Sequence, residues 1–157
     1  MDYTIRELKE EEYSVLKDFL YEAVYIPEGL AAPPRSVLDV PELQVYIKEF
    51  GRSKHDHALA AIVQEKIVGI VWARIMNDYG HIDDETPSLS ISVLKEYRGA
   101  GIGTALLETM LTHLALRGYS RVSLSVQREN YAVKMYEKVG FTVYIEKDEE
   151  YIMVVRL

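Results

Sequence analysis

Leu94-Lys95-Glu96-Tyr97-Arg98-Gly99-Ala100-Gly101-Ile102-Gly103-Thr104 stands between two segments of different period. Upstream, residues 88–94 alternate apolar and serine side chains, as a strand does. Downstream, Ile102, Leu106, Met110 and Leu114 recur as the apolar stripe of a helix predicted over residues 101–116. A second strand is predicted over 121–126 and a shorter helix over 132–139. Strand, helix, strand in this order implies a parallel pair joined by a right-handed crossover. Gly118 and Gly140 fall just after the two helices, where a left-handed residue closes the last turn.

Outward from this unit the pattern turns antiparallel. Residues 58–64 and 67–76 are apolar runs separated only by Glu65-Lys66, which predicts a hairpin. Residues 142–147 and 151–156 predict another, across an acidic turn. A strand at 3–7, a helix over 10–25 and a helix over 41–50 lead the chain, the last bounded by Pro41 and Gly51. Pro27, Gly29, Pro33 and Pro34 break any period over 27–39, which reads as a loop. The expected fold class is α/β with a mixed sheet of about seven strands, a parallel centre and about four helices, in a single domain over 1–157.

Composition narrows the function. A net charge of -7 with no basic cluster argues against nucleic acid as a partner. No apolar run is long enough to span a bilayer and no leader pattern opens the chain, so no membrane partner and a cytoplasmic location are expected. The absence of cysteine excludes an enzyme thioester. His55, His57, His81 and His113 do not have the spacing of a metal set, and no metal is expected.

Glycines at 99, 101 and 103 let successive backbone N–H groups close on an oxyanion at a helix N-terminus, so the turn reads as a phosphate site. A Walker loop would need a lysine after its last glycine, and Ile102-Gly103-Thr104 has none. The dinucleotide fingerprint needs another glycine spacing and an acid ending the next strand, which Val122-Ser123-Leu124-Ser125-Val126 lacks.

Arg98-x-x-Gly101-x-Gly103 resembles the acetyl-CoA pyrophosphate loop of the GNAT superfamily of N-acetyltransferases. Asn130-Tyr131-Ala132-Val133-Lys134-Met135-Tyr136-Glu137-Lys138-Val139-Gly140-Phe141 is similar to its second signature, in the same order. The resemblance covers nearly the whole chain. It implies transfer of an acetyl group from acetyl-CoA, a co-substrate, to an amine of a small molecule, peptide N-terminus or lysine; a homodimer is compatible with it. A CoA-binding module without catalysis is the first alternative, and another nucleotide-binding protein using the glycine turn the second.

The same resemblance implies site residues. Arg98, Gly99, Ala100, Gly101, Ile102, Gly103 and Thr104 would hold the pyrophosphate. A bulge would splay the preceding strand so that Ile91, Ser92 and Val93 offer backbone groups to the pantetheine arm. Asn130 would hydrogen-bond that arm or cap the short helix. Tyr136 would protonate the departing thiolate. Some relatives carry a glutamate base where this chain has Ser125; others carry a carboxylate before the loop strand, which points first to Glu85 and second to Asp83. Acceptor selection would fall to residues 25–29, Trp72, Tyr79 and His81.

Overall fold

Alternating side chains turn the apolar segments into one seven-stranded sheet in a computed structural model that describes residues 2–157. The strands are β1 (Thr4–Glu7), β2 (His57–Val63), β3 (Lys66–Arg74), β4 (Ser88–Val93), β5 (Arg121–Gln127), β6 (Thr142–Glu146) and β7 (Glu150–Arg156), in the spatial order β1-β2-β3-β4-β5-β7-β6. Every neighbouring pair is antiparallel except β4 and β5 at the centre. The helices are α1 (Leu16–Ala23), α2 (Pro41–Gln44), α3 (Ile102–Leu116) and α4 (Ala132–Lys138).

The sheet separates two apolar layers. On one face Val71, Leu89, Val122 and Leu124 pack against Ile102, Leu106 and Met110 of α3 and Tyr136 of α4. On the other, Ala60, Ile70 and Trp72 pack against Leu16, Phe19 and Leu20 of α1, with Leu38 and Tyr46. Period-2 alternation in β3 sends neighbours Val71 and Trp72 to opposite layers.

Two leading helices are shorter than the sequence predicts. Residues 10–25 divide into a 3-10 turn at Glu10–Val15 and then α1. Within the predicted helix 41–50, α2 ends at Gln44. The carbonyls beyond it are claimed by side chains of β3: Trp72 Nε1 donates to Tyr46 O at 3.0 Å, and Arg74 Nη1 to Val45 O at 3.0 Å and Lys48 O at 2.8 Å. Those oxygens serve the sheet instead of the next helical turn. A short 3-10 turn, Arg35–Asp39, occupies the end of the proline-rich segment and buries Leu38.

At the centre, β4 and β5 share one Cα pairing, Ser88 with Ser123, and then part. No bulge within β4 causes this, contrary to what the resemblance implies: its register with β3 runs unbroken from Arg74↔Ser88 to Gly69↔Val93. A neighbouring loop instead holds β5. Ser123 Oγ donates to Gly80 O at 2.7 Å, and a Cβ at Gly80 would come within 3.0 Å of Ser125 N. The small side chains on this face of β5 let the β3–β4 connection lie directly on it.

Candidate active site

The nest at residues 99–104 has the backbone that anion binding requires. Gly99 and Gly101 adopt φ +81° and +84°, a left-handed region disfavoured for residues with a Cβ. The first helical bond of α3 is Ala105 N–H to Gly101 O at 3.1 Å. None of the six N–H groups of 99–104 has a protein acceptor among the described residues. They lie at the positive end of a 15-residue helix. Gly103 has a different duty: a Cβ there would press to 3.1 Å on Met135 Sδ, so it lets α3 and α4 close together. Ala100 is exposed and stands outside the cavity lining, whereas Ile102 and Thr104 contribute to it.

Arg98 frames the nest. Its Nε donates to Val93 O at 2.8 Å, and its Nη2 lies 3.6 Å from Glu22 Oε2 on α1. The loop is thereby tied both to β4 and to the opposite layer.

From the nest a cavity of about 810 Å³ runs along β4, lined by Ile91, Ser92 and Val93 together with residues of α1 and α4. Hydrogen-bond direction separates these three. Ser123 N–H donates to Pro87 O and Leu94 N–H to Val68 O. By strand alternation, odd residues of β4 turn their backbone groups to the gap and even residues to β3. Ile91 therefore presents its backbone groups to the cavity and Val93 its N–H, the Val93 carbonyl being taken by Arg98 Nε. Ser92 does not: its main chain is committed to β3, and its Oγ donates to Phe19 O at 2.6 Å, locking α1 onto the sheet.

A second cavity, of about 790 Å³, adjoins the first. Tyr25, Ile91, Asn130 and Tyr136 line both and mark the junction. Asn130 Oδ1 accepts from Ala132 N–H at 2.9 Å, capping the start of α4 and leaving its amide nitrogen for the cavity. Tyr136 is 8% exposed and packs edge-on against Phe141, yet its hydroxyl has no hydrogen-bond partner among the described residues. Burial pushes its pKa up to about 12, so it holds its proton at neutral pH.

The two expected bases are not at this junction. Asp83 pairs with Arg121 at 2.7 Å, and that hydrogen bond, with further ones from Thr86 and the Glu85 N–H, holds its pKa down to about 2. Such a carboxylate is a poor proton acceptor near neutrality. Glu85 is exposed, and neither residue lines either cavity. Asp83 and Arg121 close a loop instead. Trp72 and His81 are likewise outside the lining, Trp72 being fully buried, whereas Tyr25 and Tyr79 are part of it.

Two residues that the sequence did not single out stand here. The Tyr46 hydroxyl, at the cavity wall, lies beside Ser125 and the Asp78 carboxylate. Burial and then the Asp78 charge raise the Tyr46 pKa. Ser88 Oγ donates to Asp78 Oδ1 at 2.9 Å, and burial raises the Asp78 pKa against the lowering effect of that bond. The only cue in the sequence was Asp78 preceding Tyr79-Gly80, a turn signal shared by many loops.

The sequence profile of the Acetyltransferase (GNAT) family matches residues 9–141. The N-alpha-acetyltransferase of Saccharolobus solfataricus is 32% identical over 125 residues, 69% of this chain and 71% of that protein. The probable N-acetyltransferase camello of Xenopus laevis is 37% identical over 82 residues, 52% of this chain and 36% of that protein, so the chain spans little more than a third of that relative. A PaiA N-acetyltransferase from Thermoplasma acidophilum, solved with coenzyme A, superposes with a TM-score of 0.74 at 21% identity, covering 100% of both chains, a likeness of fold. With the profile spanning most of its length, this chain belongs to the GNAT family of acetyltransferases.

Proposed function

We propose that this protein transfers the acetyl group of acetyl-CoA directly to an amine. The observation that carries the reading is Tyr136, a buried side chain whose protonated hydroxyl has no protein partner and opens where two cavities meet. A hydroxyl that opens into a cavity without a protein partner is free to donate to a ligand there. The cavity on the nest side suits CoA: residues 99–104 receive the pyrophosphate, and the gap-facing groups of Ile91 and Val93, with Asn130, receive the pantetheine arm. The thioester then supplies an activated acyl carbon at the junction, and the acceptor approaches from the other cavity.

In the transfer the amine nitrogen bonds to the acyl carbon as the carbon–sulfur bond breaks. Tyr136 gives its proton to the departing thiolate and regains one from the nitrogen. The ammonium form of the acceptor must first lose a proton. Tyr46 and Asp78 support that step: the Tyr46 hydroxyl takes the proton as it passes its own to the Asp78 carboxylate, which burial makes more basic than a solvated one. Net, one proton leaves to solvent.

Release of free thiol from acetyl-CoA, followed with a panel of amines, tests the reading. Tyr136→Phe should lower kcat roughly 100-fold, the low end for loss of a general acid, with little change in CoA affinity. Equal loss of both would assign Tyr136 to packing, and absence of thiol release with every amine would leave only a CoA-binding module.

A further inference from the structure

We infer that the acceptor is a small aliphatic amine carrying a second protonated nitrogen, a diamine or longer polyamine, whose distal charge is held by the β6–β7 turn. This rests on the transferase reading and specifies its substrate. The acceptor-side cavity takes its wall from α1, β4, β5, the β3–β4 connection and the turn after β6, and its size of about 790 Å³ is that of a small-molecule site.

Its charge is one-sided. Asp148, Glu149 and Glu150 line it, and the only cation among its lining residues is Lys147, 3.6 Å from Glu150. The wall keeps a net negative charge that favours a cationic occupant. The turn is also fixed in place: Arg128 N–H donates to Glu149 O at 3.0 Å, Arg128 Nε donates to Lys147 O at 2.7 Å, and its guanidinium stacks 4.9 Å from the Tyr151 ring. The carboxylates do not stand alone, because the unpartnered Tyr136 hydroxyl opens into the same cavity and marks where the reacting nitrogen must arrive.

Register sets the spacing between the two ends. Glu150 pairs with Gln127 on β5, two residues beyond Ser125, which flanks the Tyr46 hydroxyl. Two strand residues span about 7 Å along β5, and Asp148 and Glu149 lie in the turn just beyond, a separation that suits a chain of four or more carbons. One nitrogen then sits near Tyr46 and Tyr136 while the other meets the acidic turn, in a cavity also lined by Tyr25 and Tyr79.

The test compares 1,4-diaminobutane, butylamine, 4-aminobutanoate and a short lysine peptide as acceptors of the full chain, by thiol release at low and high salt. The expected kcat/KM is at least tenfold higher for the diamine than for butylamine, lowest for 4-aminobutanoate, with the diamine's advantage shrinking in high salt. In the double variant Asp148→Asn, Glu149→Gln the diamine-to-butylamine ratio should fall below threefold. Butylamine equal to the diamine, a ratio indifferent to salt and to the double variant, or preference for the lysine peptide each overturns the inference and leaves the transferase reading standing. No thiol release with any of the four removes both. The wild-type ratios decide the matter even should the double variant fail to fold.

Discussion

Arg98 and Glu22 face each other across 3.6 Å, joining the glycine-rich loop to the last turn of α1. Both are partly exposed, and an ion pair of this kind is worth about 0.2–1 kcal/mol. A diphosphate at the nest would compete with Glu22 for the same guanidinium. Glu22→Gln should therefore tighten CoA binding by roughly two- to fivefold at low salt, an effect that fades as salt rises. Isothermal titration reads it directly; weaker binding in the variant would mean that Glu22 positions Arg98 for the cofactor.

Charge and backbone strain can be separated at Gly101, whose φ is +84° with nothing within 4 Å of an added Cβ. Gly101→Ala should cost about 1 kcal/mol of stability through its left-handed backbone and weaken CoA modestly. Gly101→Glu adds a carboxylate that opposes the pyrophosphate, so CoA should no longer raise its melting temperature. Similar CoA protection in both variants would show that the nest does not hold the cofactor.

Asp78 acts, on the reading above, only when it is ionised, and burial raises its pKa. kcat/KM should then fall on the acid side with an apparent pKa above the ordinary aspartate range, and Asp78→Asn should lower kcat/KM roughly 100-fold while flattening that limb. The pH profile is the discriminating readout, because a purely structural loss would lower the curve without reshaping it.

Away from the site, His113 Nε2 lies 3.2 Å from His57 Nδ1, and His57 and His55 both reach the Tyr119 hydroxyl. Burial, chiefly, lowers the pKa of His57 and His113 below 6.5; the neighbouring imidazole charge and Arg117 add to this at His57, and Arg117 at His113, while Asp56 and Glu7 oppose it respectively. For a histidine with a depressed folded pKa, the unfolded chain binds more protons just below 6.5. The stability is whole above that pH and declines as pH falls through the folded values. The melting temperature should drop by a few degrees between about pH 7.5 and pH 5, and less steeply in His113→Gln. Parallel slopes in the two proteins would exclude the pair as the cause.

Much of the fold was legible in the sequence because both periodicities were strong: 3.6 over α3 and 2 over β3, β4, β5 and β7. The nest was legible because Gly99 and Gly101 answer a backbone requirement that a sequence states openly, whereas the packing role of Gly103 against Met135 is tertiary. What resisted reading was tertiary. The shortening of residues 41–50 depends on Trp72 and Arg74, some thirty residues away, reaching their carbonyls. The pairing of Asp83 with Arg121, 38 residues on, has no local signature in the acidic stretch at 83–85. Asp78 and Tyr46 come together only through folding, and the parity that turns Ser92 away from the gap follows from how β4 pairs, not from its composition.

The sheet that divides the interior into two apolar layers also divides the labour of evolutionary change. The nest and α4 belong to one side, whereas α1, α2 and the loops after them rest on the Trp72 side. On the proposed reading, substitutions around Leu43, which lines only the acceptor-side cavity, can retune which amine is admitted while leaving the nest untouched. A scaffold partitioned in this way can change its customers while keeping its currency.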